Sequence, residues 1–294
     1  MCRCVPLVSI LALLVGCGQA PKPLPEAAAP VPPVIALPGS DYRAEASGSV
    51  AGLAAWSGPT VPRGMTIGAT PKGEGYDMKP YPDAFALSVD SATKGLADVL
   101  VTVALSESKR WKAWPYPSAK LTARNYRLSA FQGDQSTTGP LFVRRGETLA
   151  ITSEDPELHV FRGRGASFFS ITFPKPMTRT IALDQPGIVE ITSGSGYHWL
   201  AHDVAVSDHP YVAVTDDRGR FRIDGLPPGE CEVTLRLRNP TILNRERDPE
   251  TGLYFRTNYA PATMKTMKVT IAAGRVTDTT TLFSPVFPSP EPTR

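Results

Sequence analysis

Helical periodicity is nearly missing from this sequence. Between residues 43 and 285 apolar side chains do not recur at three- and four-residue spacing, which excludes a helical bundle. Cysteine is scarce: of four, Cys2, Cys4 and Cys17 crowd the start and Cys231 stands alone in the rest. A disulfide framework for the body of the chain is thereby excluded, and packing of the core has to supply its stability. Neither sign of charge prevails, with 31 basic against 28 acidic residues and a net charge of +3. No basic run interleaved with aromatics is present, so nucleic acid is not an expected partner. No apolar run reaches the roughly 20 residues a membrane-spanning helix needs.

The apolar run that does exist lies at the start. Arg3 precedes an uncharged Leu-, Val- and Ile-rich stretch from Val5 to Gly16, the pattern of a cleaved secretory leader. It ends in Leu14-Val15-Gly16-Cys17, which resembles the lipobox of bacterial lipoproteins. The resemblance implies that residues 1–16 are removed and that Cys17 carries a diacylglycerol, leaving the chain anchored to a membrane by lipid. Gly18 after the cysteine, where retained lipoproteins have Asp, implies the outer membrane within a cell envelope. An ordinary leader that happens to contain cysteine is the alternative. Residues 18–40 hold seven prolines, so 17–42 reads as a semi-rigid spacer. Residues 286–294 read as a disordered tail.

The body alternates apolar and polar residues with period two, cut by Gly, Pro and Asp turns, as an all-β sandwich does. Strands are expected over Asp98–Leu105, Leu141–Ile151, Phe168–Phe173, Thr180–Leu183 and Ile188–Ile191, with a short helical turn at Gly95–Ala97. The clearest pattern spans Tyr211–Arg238. Gly219 and Gly229 suit left-handed turn positions, and Cys231, Val233, Leu235 and Leu237 share one face. That reading makes a hairpin and buries Cys231 in a core, where a thiol behaves as a small hydrophobe.

The stretch from Thr215 to Leu237 resembles the hairpin of carboxypeptidase regulatory-like domains, small transthyretin-like sandwiches that are not catalytic. The wider chain is similar to plastocyanin-like, or methylamine-utilisation-type, envelope proteins. There a cupredoxin domain runs into this hairpin through a Val-x-Asp-His-Pro-Tyr link, here Val206 to Tyr211. Gly48–Val50 with Trp56, Gly95–Val103, Ser153–His159, Gly194–Leu200, Arg247–Gly252 and Tyr259–Pro261 extend the likeness. It implies an all-β chain: a cupredoxin-like Greek-key sandwich over 43–206, then a transthyretin-like sandwich over 207–285.

A blue-copper site takes two His, one Cys thiolate and a weak axial Met. By the resemblance His159 falls on the first His, followed by Val160 where relatives have Asn. The ligand loop is Gly194-Ser195-Gly196-Tyr197-His198-Trp199-Leu200. The Cys position is Gly194, or Ser193 with a one-residue slip; the His position is Tyr197, or His198 with the same slip; the Met position is Leu200. Without the thiolate, no blue-copper centre is expected. His159, His198 and His202 remain candidates for a thiolate-free copper or zinc site.

His209 reads as a structural hydrogen-bonding residue. Ser193–Gly196 lacks the strand–turn–helix setting of a nucleophile elbow, and no acid, base and nucleophile converge, so catalysis is not expected. Trp111, Trp114 and Tyr116 suit either a stacking surface or the covering of a sandwich end. The functional expectation is a non-catalytic envelope module presented to a protein or glycan partner; the alternative is a metal-binding or redox-partner protein.

Overall fold

A computed structural model describes residues 39–284 apart from 60–63, 106–109, 248, 251 and 253. The expected leader, Cys17, most of the spacer, Asp248 and the tail lie outside those residues. Strands follow one another in the order β1 (Gly48–Trp56), β2 (Met65–Lys72), β3 (Gly75–Pro82), β4 (Leu100–Ala104), β5 (Ala119–Arg124), β6 (Arg127–Gln132) and β7 (Gln135–Thr137). Next come β8 (Leu141–Arg144), β9 (Thr148–Ser153), β10 (His159–Gly165), β11 (Phe169–Phe173), β12 (Met177–Ala182), β13 (Gly187–Ser193) and β14 (Ala201–Ser207). The last are β15 (Val212–Val214), β16 (Arg220–Leu226), β17 (Gly229–Leu237), β18 (Ile242–Arg247), β19 (Tyr254–Tyr259), β20 (Thr263–Ile271) and β21 (Val276–Phe283).

The period-two pattern decides which face each strand buries. In the first sandwich a sheet ordered β11-β10-β13-β14-β8 faces one ordered β12-β9-β5-β6-β7. Leu121, Ile151, Phe161, Phe173, Val189 and Ile191 meet between them. In the second, β16-β1-β21 faces β15-β4-β17-β20 around Val50, Val101, Phe221, Val233, Leu235 and Phe283. Each fully buried side chain of this size contributes about 1.5–3 kcal/mol. Leu100 and Val212 of the second sandwich touch Phe142 and Ala205 of the first, and Trp114 and Tyr116 pack on that seam. The aromatic segment therefore covers a junction. Two hairpins, β2–β3 and β18–β19, complete the described part.

The all-β sandwich reading holds, and β17 alternates as expected, with Cys231, Val233, Leu235 and Leu237 buried. Four details differ. The stretch 141–151 is two strands, β8 and β9, parted by a turn in which Gly146 takes φ 84°. Gly95–Ala97 is no helical turn: Gly95 bridges Ala55 and Leu96 bridges Val89.

The third difference is the hairpin. The turn is closed locally, Asp216 N–H donating to the Arg220 carbonyl at 2.8 Å. Its arms then diverge into different sheets, β15 pairing with β4 and β16 with β1. The segment arches over the core because buried Thr215 ties it to the β4 side, its hydroxyl donating to Leu96 O at 2.6 Å and accepting from Val99 N–H at 3.0 Å.

The fourth is the division at 206/207. β1 and β4, from the part assigned to the first sandwich, pair with β16, β21, β15 and β17 of the second. Val99, Val101 and Val103 form the expected buried face, and the core they enter is that of the second sandwich. Residues 207–285 alone would lack an internal strand of each sheet, so β1 and β4 have to complete them.

Candidate functional site

One end of the first sandwich gathers the expected ligand loop, and its geometry starts from a turn. β5 and β6 pair through Arg124 and Arg127, leaving Asn125 and Tyr126 as a two-residue connection. Both take left-handed backbone, at φ 50° and 56°, as a type I′ hairpin requires. Asn tolerates that region, whereas Tyr pays about 1–2 kcal/mol for it. Asp155 holds the turn. Its Oδ1 accepts from Asn125 N–H, and its Oδ2 accepts from Tyr126 N–H at 3.2 Å.

The same Oδ2 lies 3.0 Å from His159 Nε2. His159 is fully buried and Asp155 is 3% exposed. Burial pushes the imidazole below its ordinary value, and Asp155 opposes that without reversing it. His159 is therefore neutral at pH 7, and the carboxylate selects the tautomer in which Nε2–H donates. Nδ1 is left as a lone pair with no partner among the described residues.

Aromatic rings close the space above that lone pair's ring. Tyr197 packs against His159 with ring centroids 5.1 Å apart, and Tyr126 packs against Tyr197 at 5.1 Å. Phe161 stacks below His159 at 5.9 Å. Trp199 donates its indole N–H to the Tyr126 carbonyl at 2.8 Å and stacks on Tyr81 at 4.5 Å. Tyr81 belongs to β3, so the β2–β3 hairpin lies over this end. Gly68 makes the approach possible: a Cβ there would sit 2.5 Å from the Trp199 ring.

The donors at this end do not fit blue copper. Gly194 offers no side chain, and Ser193 Oγ accepts from Ser195 N–H at 3.1 Å. Ser195 Oγ in turn accepts from Val160 N–H at 2.7 Å, so the serines brace the loop. Of the positions that the resemblance assigned to the second His and the Met, Tyr197 and Leu200 are buried, and His198, the alternative for the His, is turned to Thr66. One imidazole nitrogen next to hydroxyls and rings supplies neither the thiolate nor the trigonal set that a blue-copper ion requires.

Nor do the three candidate histidines converge. His198 Nε2 lies 3.1 Å from Thr66 Oγ1 of the hairpin. His202 is directed toward the Gly139 backbone, where burial lowers its pKa to about 4. Among the described residues no three His, Cys, Asp or Glu side chains are grouped to hold a metal ion. The three sit on separate segments: His159 starts β10, His198 lies in the loop before β14, and His202 is on β14.

His209 accepts from Tyr211 N–H at 3.3 Å through Nδ1, the structural role expected of it. Cys231 is buried, and burial pushes its thiol up, which fits an inert core position. The sequence pattern contains Asp155 within Ser153–His159 without assigning it a role, and it does not reveal Tyr126 or the β2–β3 hairpin at this end. An Asp four residues before a His was the one local signal; the Asn-Tyr turn carries no glycine to betray it.

No family model matches the sequence, and no curated protein matches it. Among solved structures, a reduced tryptophan-to-tyrosine variant of amicyanin aligns with a TM-score of 0.24 and 11% identity, covering 31% of this chain and 82% of that one. A purple cupredoxin from Nitrosopumilus maritimus aligns at 0.22 and 16%, covering 31% of this chain and 99% of its own.

Proposed function

We propose that this chain is a non-catalytic, lipid-anchored envelope module in which a cupredoxin-like sandwich has exchanged its copper ligands for a sealed aromatic end, and which serves a protein or glycan partner by binding. The observation that carries the reading is His159: its Nε2–H is given to Asp155 and its ring is covered by Tyr126 and Tyr197. A redox metal has to exchange electrons with a partner through such an end, and here the imidazole is buried, neutral and without a thiolate beside it. The lipid anchor at Cys17, the envelope address and the transthyretin-like kinship of the second sandwich belong to the same proposal and rest on the sequence motifs.

Two experiments test it. Purified protein exposed to copper or zinc and dialysed is expected to retain well under one equivalent by elemental analysis. One equivalent that disappears in His159→Ala or His198→Ala would replace this reading with that of a thiolate-free metal protein. A Cys17→Ser variant is expected to leave the membrane fraction, and equal membrane binding by that variant would remove the anchor.

A further inference from the structure

The outward face of the first sandwich carries a second feature, separate from the sealed end. Alternation along β10 turns Phe161 and Gly163 inward and Arg162 and Arg164 outward. Arg162 lies beside Thr192 of β13 and Arg164 beside Glu190. β19 contributes Arg256, β17 brings Arg236, and Arg238 follows directly after β17. Arg164, Arg236, Arg238 and Arg256 line a cleft of about 340 Å³, at the lower end of the size of small-molecule sites, and Arg162 borders a small adjoining recess that shares Arg164 and Arg256 with it.

The acids nearby are already engaged. Asp203 pairs with Arg236 at 3.1 Å and with Arg238. Glu190 lies 3.6 Å from Arg238, and Glu246 pairs with Arg256 at 3.1 Å. Arg162 and Arg164 have no ion pair among the described residues. Burial and the neighbouring Arg256 and Arg162 charges together hold Arg164 below its ordinary value, outweighing Glu190 and Glu246. Like charges kept together in a half-buried cleft repel, and a bound anion would remove the repulsion.

Five guanidiniums against three carboxylates leave two positive charges for a ligand. Forks arriving from three strands suit a tetrahedral, multiply charged oxyanion, whose oxygens accept from several directions, better than a lone planar carboxylate that one fork saturates. We infer that the cleft lined by Arg164, Arg236, Arg238 and Arg256, with Arg162 at its edge, is a binding site for a phosphate group, either as a free oxyanion or borne by a sugar-sized molecule. The rings of Tyr259 and Phe85 beside it offer an apolar wall to whatever carries the phosphate.

Calorimetric titration of the full chain with pyrophosphate, glucose 6-phosphate and citrate tests this at fixed ionic strength. Saturable binding of pyrophosphate is expected, and tighter binding of the sugar phosphate would identify the borne form as the source, weaker binding the free form. Arg164→Gln and Arg162→Gln are each expected to weaken it roughly ten- to a hundred-fold, the loss of a hydrogen bond to a charged group. Arg127→Gln, at the sealed end, is expected to leave it unchanged, and melting curves check that each variant is folded. Absence of saturable binding of either phosphate, citrate binding as tight as pyrophosphate, or a folded Arg164→Gln variant with wild-type affinity would each overturn the inference.

Discussion

Two buried aspartates, each almost wholly removed from solvent, have opposite company. Asp155 closes one end of the first sandwich with two backbone N–H groups and a neutral histidine. Asp203, on β14, reaches across to Arg236 of β17 and to Arg238 just after it, in the second sandwich. Arg238 also lies against the Phe85 ring, 2.9 Å from its centroid, and burial brings its pKa down to about 10. The first carboxylate shapes a turn and fixes a tautomer; the second joins two halves by full charges. What a buried acid does is thus set by its donors, and its depth alone says little. A turn held by neutral donors is local and tolerant, whereas an ion pair removed from water fails badly when halved.

Breaking the charged partner should have the largest effect. Asp203→Ala leaves two largely buried guanidiniums without their acid and is expected to lower unfolding stability by about 3–5 kcal/mol, measured by urea denaturation. If the loss were below about 1 kcal/mol, the junction would not be held by this pair.

Acid pH separates the histidines next. His202, held down to about 4, stays neutral in the fold while the unfolded chain takes up a proton below about 6.5. Its contribution is therefore complete above pH 6.5 and is lost as pH falls from there through 4, by about 3 kcal/mol at most. His159 moves in the same direction, restrained by Asp155. Melting temperatures between pH 7.5 and 4.5 should fall less steeply in His202→Gln than in the wild type. Parallel curves would refute the shift.

Asp155→Asn comes third. It keeps the side chain's shape, but an amide can satisfy fewer of the three donors that now meet the carboxylate, and about 2 kcal/mol is expected. Near-ultraviolet circular dichroism should change with it, since Tyr126 and Tyr197 are held by that turn. An unchanged aromatic spectrum would separate the turn from the rings. Smallest is Ser195→Ala, which takes the acceptor from Val160 N–H and should cost about 1 kcal/mol in the same denaturation.

The two halves were not equally legible in sequence. β17 could be read residue by residue, because strict alternation from Cys231 to Leu237 fixes a face without reference to anything distant. The sheet it joins could not be read that way. Its neighbour β4, like β1 at the centre of the facing sheet, arrives from more than a hundred residues earlier, and period-two patterning does not name a strand's neighbour. The sealed end shows the same limit. That Gly194 and Ser193 offer no thiolate is plain from their identities alone. Closure by Tyr126, held in left-handed backbone by Asp155, and by Tyr81, carried in on a separate hairpin, depends on contacts that no local spacing encodes. The arch at Thr215–Gly219 looked like a hairpin because its turn chemistry is that of a hairpin. The buried hydroxyl of Thr215 is what sends its arms to different sheets.

The central claim, that His159 is a sealed neutral imidazole and no metal ligand, is tested most directly by nitrogen-15 NMR of its ring. The account predicts a neutral ring protonated at Nε2 at pH 7, with signals unmoved by one equivalent of Zn(II). An imidazolium signal at that pH, a proton on Nδ1, or a shift of the Nδ1 resonance on adding zinc would contradict it.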